Sequence, residues 1–136
     1  LLGKIIDIAK RERDRDIPLD ADFFTKLDAL EIRLEALSAT ALRLLSAFDS
    51  GGVVGAEPSM LKLKGSQLVQ DMDRCLFDAI GYYGIPVDSV MRNADPIGEE
   101  YEDMIASGLF HHRGYTIAGG SSEIQHNIIA KAVLGL

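Results

Sequence analysis

Phe23-Phe-Thr-Lys-Leu-Asp-Ala-Leu-Glu-Ile-Arg-Leu-Glu-Ala-Leu-Ser-Ala-Thr-Ala-Leu-Arg-Leu-Leu-Ser-Ala-Phe48 places apolar residues at alternating spacings of four and three: Phe23, Leu27, Leu30, Leu34, Leu37, Ala41, Leu44 and Phe48. On a helix this spacing keeps one narrow stripe turned toward a partner helix. Lys26, Asp28, Glu31, Arg33, Glu35 and Arg43 fall on the other faces. The pattern predicts one helix over about residues 21 to 49, ended by Gly51 and Gly52. A helix of that length suits a bundle better than a small freestanding globule.

Upstream, Leu2, Ile5, Ile6 and Ala9 share a helical face, and Pro18 stops that helix. The mixed run from Lys10 to Asp16 reads as its solvated end, with Arg11, Arg13 and Arg15 offset by Glu12, Asp14 and Asp16. Downstream, Pro58 suits a first helical position, and Leu61, Gly65, Leu68, Met72, Leu76 and Ala79 carry a stripe to about Ile80. A glycine inside a helix is unfavourable by about 1 kcal/mol relative to alanine, so Gly65 suggests close approach of another backbone. Residues 81 to 98 have the composition of a long loop. Asp95 and Pro96 read as the cap and first residue of a further helix, with Glu99 and Glu100 at its positive end and Tyr101, Met104, Ile105 and Leu109 on its apolar face. A Gly-rich break from Gly114 to Gly120 precedes a last helix from about Ser122 to Leu134, where Ser122 and Gln125 fit a capping box. No stretch alternates with a period of two, so the chain reads as an all-α, up-and-down bundle of four or five helices forming one domain over residues 1 to 136.

Acidic residues outnumber basic ones 21 to 14, for a net charge of -7, which argues against nucleic acid or an anionic membrane surface as the main partner. No apolar run approaches the roughly 18 residues of a membrane span, and no signal peptide is visible. The single cysteine, Cys75, cannot form an internal disulfide, so a reducing, cytoplasmic setting is expected and Cys75 reads as core. Leu1 stands inside an apolar, helix-like stretch, which suggests a fragment.

The segment Ala118-Gly-Gly-Ser-Ser-Glu-Ile-Gln125 is the most informative for chemistry. Two glycines and two hydroxyls at a helix N-terminus leave backbone N–H groups open to a close acceptor. Glu123 in the first turn would repel a phosphate, so a neutral group such as a ribose hydroxyl or an amide fits better. The plainer reading is a turn with a cap. His111, His112 and His126 lack ligand spacing and read as surface or interface residues rather than metal ligands. Glu99, Glu100, Glu102 and Asp103 lack the alternation of a calcium loop and read as a solvated helix start.

Tyr115 to Leu136, Tyr-Thr-Ile-Ala-Gly-Gly-Ser-Ser-Glu-Ile-Gln-His-Asn-Ile-Ile-Ala-Lys-Ala-Val-Leu-Gly-Leu, closely resembles the terminal signature of flavin-dependent acyl-CoA dehydrogenases. Pro58 to Gln70 is similar to the helix preceding that family's Gln-x-x-Gly-Gly-x-Gly-Tyr loop, and Asp78-Ala-Ile-Gly-Tyr-Tyr-Gly-Ile85 stands at the loop itself. Arg33, Leu37 and Thr40 to Leu44 resemble the group that includes pimeloyl-CoA dehydrogenase large subunits. The resemblance spans the chain but only the family's C-terminal helical domain, without its N-terminal helical and middle β-domains.

The resemblance implies an enzyme of fatty acid metabolism that uses FAD, oxidises an acyl-CoA substrate to its 2-enoyl form and passes electrons to an electron-transfer flavoprotein. A base would remove the α-proton, while hydrogen bonds stabilise the charge on the thioester oxygen. It further implies that Gly120, Ser121 and Glu123 meet FAD, that Gly81 meets the FAD of a neighbouring subunit, and that Arg11 or Arg13 reaches the flavin pyrophosphate. Asp78 and Tyr82 depart from the loop motif, and the usual Arg-x-x-Phe-Gly is missing. Gly119 occupies the place of the family's catalytic Glu, so no catalytic residue is assigned. Other branches carry the base on the first helix of this domain, whose upstream part lies before Leu1; Glu12 stands on the part that remains, at its charged end. The base then lies upstream, or the chain is a non-catalytic scaffold or a partner in a heteromer with a related subunit. A homo-oligomer is expected through the long α-helical stripe and the 81 to 98 loop, and an acyl-CoA oxidase is a related possibility.

Overall fold

The alternating stripe of residues 23–48 forms one unbroken helix in the computed structural model of the chain, Ala21–Asp49, with the bounds the sequence predicts. The structure describes residues 1–19, 21–86, 98–102 and 104–136. The described residues form five α-helices: α1 (Leu2–Asp14), α2 (Ala21–Asp49), α3 (Glu57–Ile80), α4 (Ile105–His112) and α5 (Ser122–Ile129). Tight 3-10 turns occupy Gly81–Gly84, Glu100–Glu102 and Arg113–Thr116, and α5 widens into a π turn at Ala130–Leu134. There is no strand among the described residues, and the architecture is the all-α bundle expected.

α2 ends as its glycines require. Gly51 turns at φ 78°, its N–H bonds to Phe48 O, and Gly52 N–H reaches back to Ala47 O at 2.8 Å. This paired arrangement satisfies carbonyls at the helix end. α3 then returns antiparallel along α2, with Leu37 beside Gly65, Arg33 paired to Asp71 at 2.8 Å and Lys26 to Asp78 at 3.7 Å. Phe23 and Leu30 bury fully, and Leu27, Leu34 and Leu37 pack partly against the same core. The stripe fails only at its end, where Phe48 remains 66% exposed beyond the packed part of α3.

α3 is the spine. Leu68, Met72, Cys75, Leu76, Ala79 and Ile80 join Ile5, Ile8 and Ala9 of α1 and Ile105 of α4 in one apolar cluster. Burial lifts the Cys75 thiol to about 11, so it remains a protonated core residue as expected. A second buried row on α3, Ser59, Leu63, Ser66, Gln70 and Asp73, runs at helical spacing and is largely polar. The sequence stripe missed this row because its residues look solvent-seeking until α4 and its following turn cover them.

Several local expectations are corrected. α1 turns Ile8 and Glu12 inward along with Ile5 and Ala9, leaving Ile6 half-buried. Glu12 and Glu102 are each only 2% exposed, so neither the Lys10–Asp16 run nor the acidic run is simply solvated. Tyr101 Oη donates to Glu12 Oε1 at 2.5 Å, and Arg15 Nη1 donates to Tyr101 Oη at 2.7 Å and Glu102 Oε1 at 2.8 Å. Burial and the Glu12 carboxylate push the Tyr101 phenol upward, keeping it a donor. Asp95 and Pro96 lie outside the described residues, as does Asp103; α4 starts only at Ile105, after Met104 turns left-handed at φ 65°. Pro58 is the second residue of α3, not the first, because Ala56 is the flanking cap.

Gly65 faces a side chain of α2, not the close backbone that the sequence suggests. A Cβ there would lie 3.7 Å from Leu37 Cδ2, an ordinary contact with a side chain rather than with a backbone. Gly65→Ala is expected to stabilise the chain by about 0.5–1 kcal/mol, through lower backbone entropy in the unfolded state. Urea denaturation checks this; a loss of stability would show that the seam needs the glycine.

Candidate functional site

The chain leaves α4 through a turn pinned to the polar row of α3. His112 Nδ1 lies 2.7 Å from Asp73 Oδ2, and Arg113 Nη1 donates to Gln70 Oε1 at 2.9 Å. Lys62 Nζ donates to the Thr116 carbonyl, which Ser122 Oγ also approaches, both at 3.4 Å. His112 is therefore a partly buried structural residue and not a surface histidine, whereas His111 and His126 are exposed. Sequence periodicity could not find Gln70 or Asp73, since the signal is a polar residue awaiting a partner about forty positions away.

Beyond Ala118 the backbone takes two consecutive positive-φ residues, Gly119 at 71° and Gly120 at 94°. Glycine adopts this conformation without a side-chain clash. Ser121, not Ser122, is the cap of α5: its Oγ accepts from Ile124 N at 3.4 Å. Gln125 does not close a capping box either, because its Nε2 turns back to the Gly119 carbonyl at 3.1 Å. A hydrogen bond from the Ser121 hydroxyl, then the Glu123 backbone N–H, holds the Glu123 carboxyl below its usual range. The exposed face of this turn thus carries a charged carboxylate and a hydroxyl beside a backbone with no Cβ in the way. That set accepts hydrogen bonds from hydroxyl or amide donors and disfavours a phosphate.

Gly120, Ser121 and Glu123 are brought together, but Gly81 is not. Gly81 ends α3 at φ 61°, and a Cβ there would meet nothing within 4 Å. Lys62, under the turn, and Gly81 are nineteen positions apart on or just past α3, about 28 Å at 1.5 Å per residue. At Gly119 a Cβ would also meet nothing within 4 Å, so the position offers open space and no proton acceptor. Arg11 is committed to Asp7 at 3.1 Å and lies over the Tyr101 ring, while Arg13 is exposed on α1. Glu12 is held by Tyr101 and Arg15 and is not a free base.

Two hollows lie in the α2–α3 seam, one of about 300 Å³ lined by Leu37, Met60 and Lys64 and one of about 360 Å³ reaching Cys75. No residue of the 119–123 turn lines either of them. Among the described residues no three His, Cys, Asp or Glu side chains converge as metal ligands, and no helix is long and apolar enough to cross a membrane. The family model described as acyl-CoA dehydrogenase, C-terminal domain, matches residues 2–134. No curated protein and no solved structure matches the chain.

Proposed function

This chain belongs to the acyl-CoA dehydrogenase C-terminal domain family, and we propose that its 119–123 turn is one wall of the FAD site in a flavoenzyme that oxidises acyl-CoA thioesters to 2-enoyl-CoA. The observation that carries this reading is the pair of positive-φ glycines leading into the Ser121 cap and the ionised Glu123. The fit is to the neutral, hydroxyl-bearing parts of the cofactor. When bound, FAD supplies the acceptor for the hydride leaving the substrate β-carbon. Gly120 permits close approach, the Ser121 hydroxyl offers a polar contact, and Glu123 accepts from a hydroxyl.

The separation of Gly81 from this turn supports a role for Gly81 at a second chain's cofactor, so that each site takes residues from two copies. That makes an oligomer part of the reading, either of identical chains or with a related subunit. An electron-transfer flavoprotein is the expected acceptor downstream, and the reducing, cytoplasmic setting inferred from Cys75 belongs to the same proposal. The resemblance to the pimeloyl-CoA dehydrogenase large subunits rests on α2, where Arg33 pairs with Asp71. With Gly119 bare and Glu12 committed, the α-proton is taken by a carboxylate outside this chain's described residues.

Gly119 also favours a second reading, a base-less partner subunit or scaffold that contributes cofactor contacts only. One experiment separates the two. The full-length protein is expected to be yellow and to bleach when an acyl-CoA is added without oxygen, while residues 1–136 alone leave acyl-CoA unchanged. A full-length protein that stays colourless with excess FAD sinks the flavin reading; one that binds flavin but never bleaches selects the partner-subunit reading.

A further inference from the structure

Gln125 is only 7% exposed, although it stands at the fourth residue of α5, where a polar side chain could reach water. A buried amide is unfavourable unless it makes a specific bond. Its Nε2 makes one, to the Gly119 carbonyl at 3.1 Å. Its backbone is held as well, since Gln125 N bonds to Ser121 O at 3.0 Å in the first closed turn of the helix. The amide therefore acts on the preceding loop from a rigid support.

Every described peptide bond is trans. In a trans peptide the C=O and the following N–H point in opposite directions. Drawing the Gly119 carbonyl inward to Gln125 therefore turns the Gly120 N–H outward, on the side away from the helix. Among the described residues that N–H has no acceptor within the chain. Gly120 and Gln125 also require each other sterically, because a Cβ at 120 would sit 2.7 Å from Gln125 Nε2 and push the amide off the carbonyl.

We infer that Gln125 is a positioning residue that aims the Gly120 N–H at an acceptor oxygen of the bound cofactor, an inference that rests on the reading of 119–123 as a cofactor wall. The turn then offers a donor at Gly120 and an acceptor at Glu123, flanking the Ser121 hydroxyl. This is a complement for a neutral group carrying both a carbonyl-like oxygen and a hydroxyl.

The test uses the full-length protein with Gln125→Met, Gln125→Glu, Ser121→Ala and Glu123→Gln, reading FAD affinity by flavin fluorescence and Gly120 amide exchange in the apoprotein. Gln125→Met keeps the length and removes the donor, so FAD is expected to bind about tenfold more weakly. Gln125→Glu replaces the donor by an acceptor. It is expected to turn the peptide over, slow Gly120 amide exchange about tenfold by drawing that N–H inward, and weaken FAD at least as much. A general loss of packing would leave the exchange of this unbonded N–H fast, not slow it. If Ser121→Ala weakens FAD while both Gln125 variants bind as wild type, the positioning inference is overturned and the cofactor wall stands. If all four variants bind FAD as wild type, the wall itself is misassigned and the inference falls with it. Should Gln125→Glu not fold, the affinity of Gln125→Met decides the same question.

Discussion

Leu76→Ala is expected to lower the unfolding free energy by about 3 kcal/mol, within the range for truncating a buried leucine. Leu76 is 3% exposed and sits in the cluster shared by α1, α2, α3 and α4. The neighbouring core residues come from several helices, so the vacated space cannot close by moving one side chain. The effect should appear in urea denaturation as a lower midpoint with an unchanged slope. A loss below about 1 kcal/mol would mean that α3 is not the spine of the bundle, and that the support under the 119–123 turn comes from elsewhere. The consequence is functional as well as structural. α3 carries Lys62, Gln70 and Asp73, which hold Thr116, Arg113 and His112 in the segment leading into that turn, and it ends at Gly81, so its alignment bears on both proposed half-sites.

The second large effect is a change of sign. Glu12 and Glu102 are both buried and share Arg15, whose guanidinium is pushed further toward the charged form by its bonds to Glu102 and Tyr101. In the wild-type chain Glu102→Gln is expected to destabilise by about 1–2 kcal/mol, because a charge-assisted bond to Arg15 is lost. The bond from Glu99 N–H to Glu102 Oε2 at 2.8 Å can persist to the Gln oxygen, so the loss stays moderate. Arg15→Met leaves two buried carboxylates without their shared cation and should be the more damaging single change. On that background Glu102→Gln removes one uncompensated charge and should raise stability. A double-mutant cycle measures the coupling. If Glu102→Gln destabilises equally with and without Arg15, the cluster is not held by shared charge.

The parts of the fold that were legible share a physical property: their information is local. The spacing from Phe23 to Leu44 and the Gly51-Gly52 stop located α2 to the residue, because helix periodicity and a left-handed glycine act within a few positions. The Gly119-Gly120-Ser121 turn was legible for the same reason, and its neighbourhood supported a family that the match over residues 2–134 shows. Its cap was misplaced by one residue, since Ser121 and Ser122 offer the same hydroxyl and only the backbone angle of Ser121 distinguishes them. Burial of Glu12 and Glu102 was not legible, because each looks like a surface charge until Tyr101 and Arg15 approach across nearly ninety positions. Gln70 and Asp73 were hidden by the same rule.

The sequence by itself determined the all-α class, the long α2–α3 hairpin, the glycine turn before α5 and the family resemblance, because period, breakers and motif are encoded over short stretches. Only the tertiary structure decided which polar residues go inside, that Gln125 reaches Gly119 rather than closing a capping box, and that Gly81 lies at the far end of α3 from Ser121. The reason is energetic: a polar group is buried only when a specific partner meets it, and that partner is supplied by the packing of distant elements.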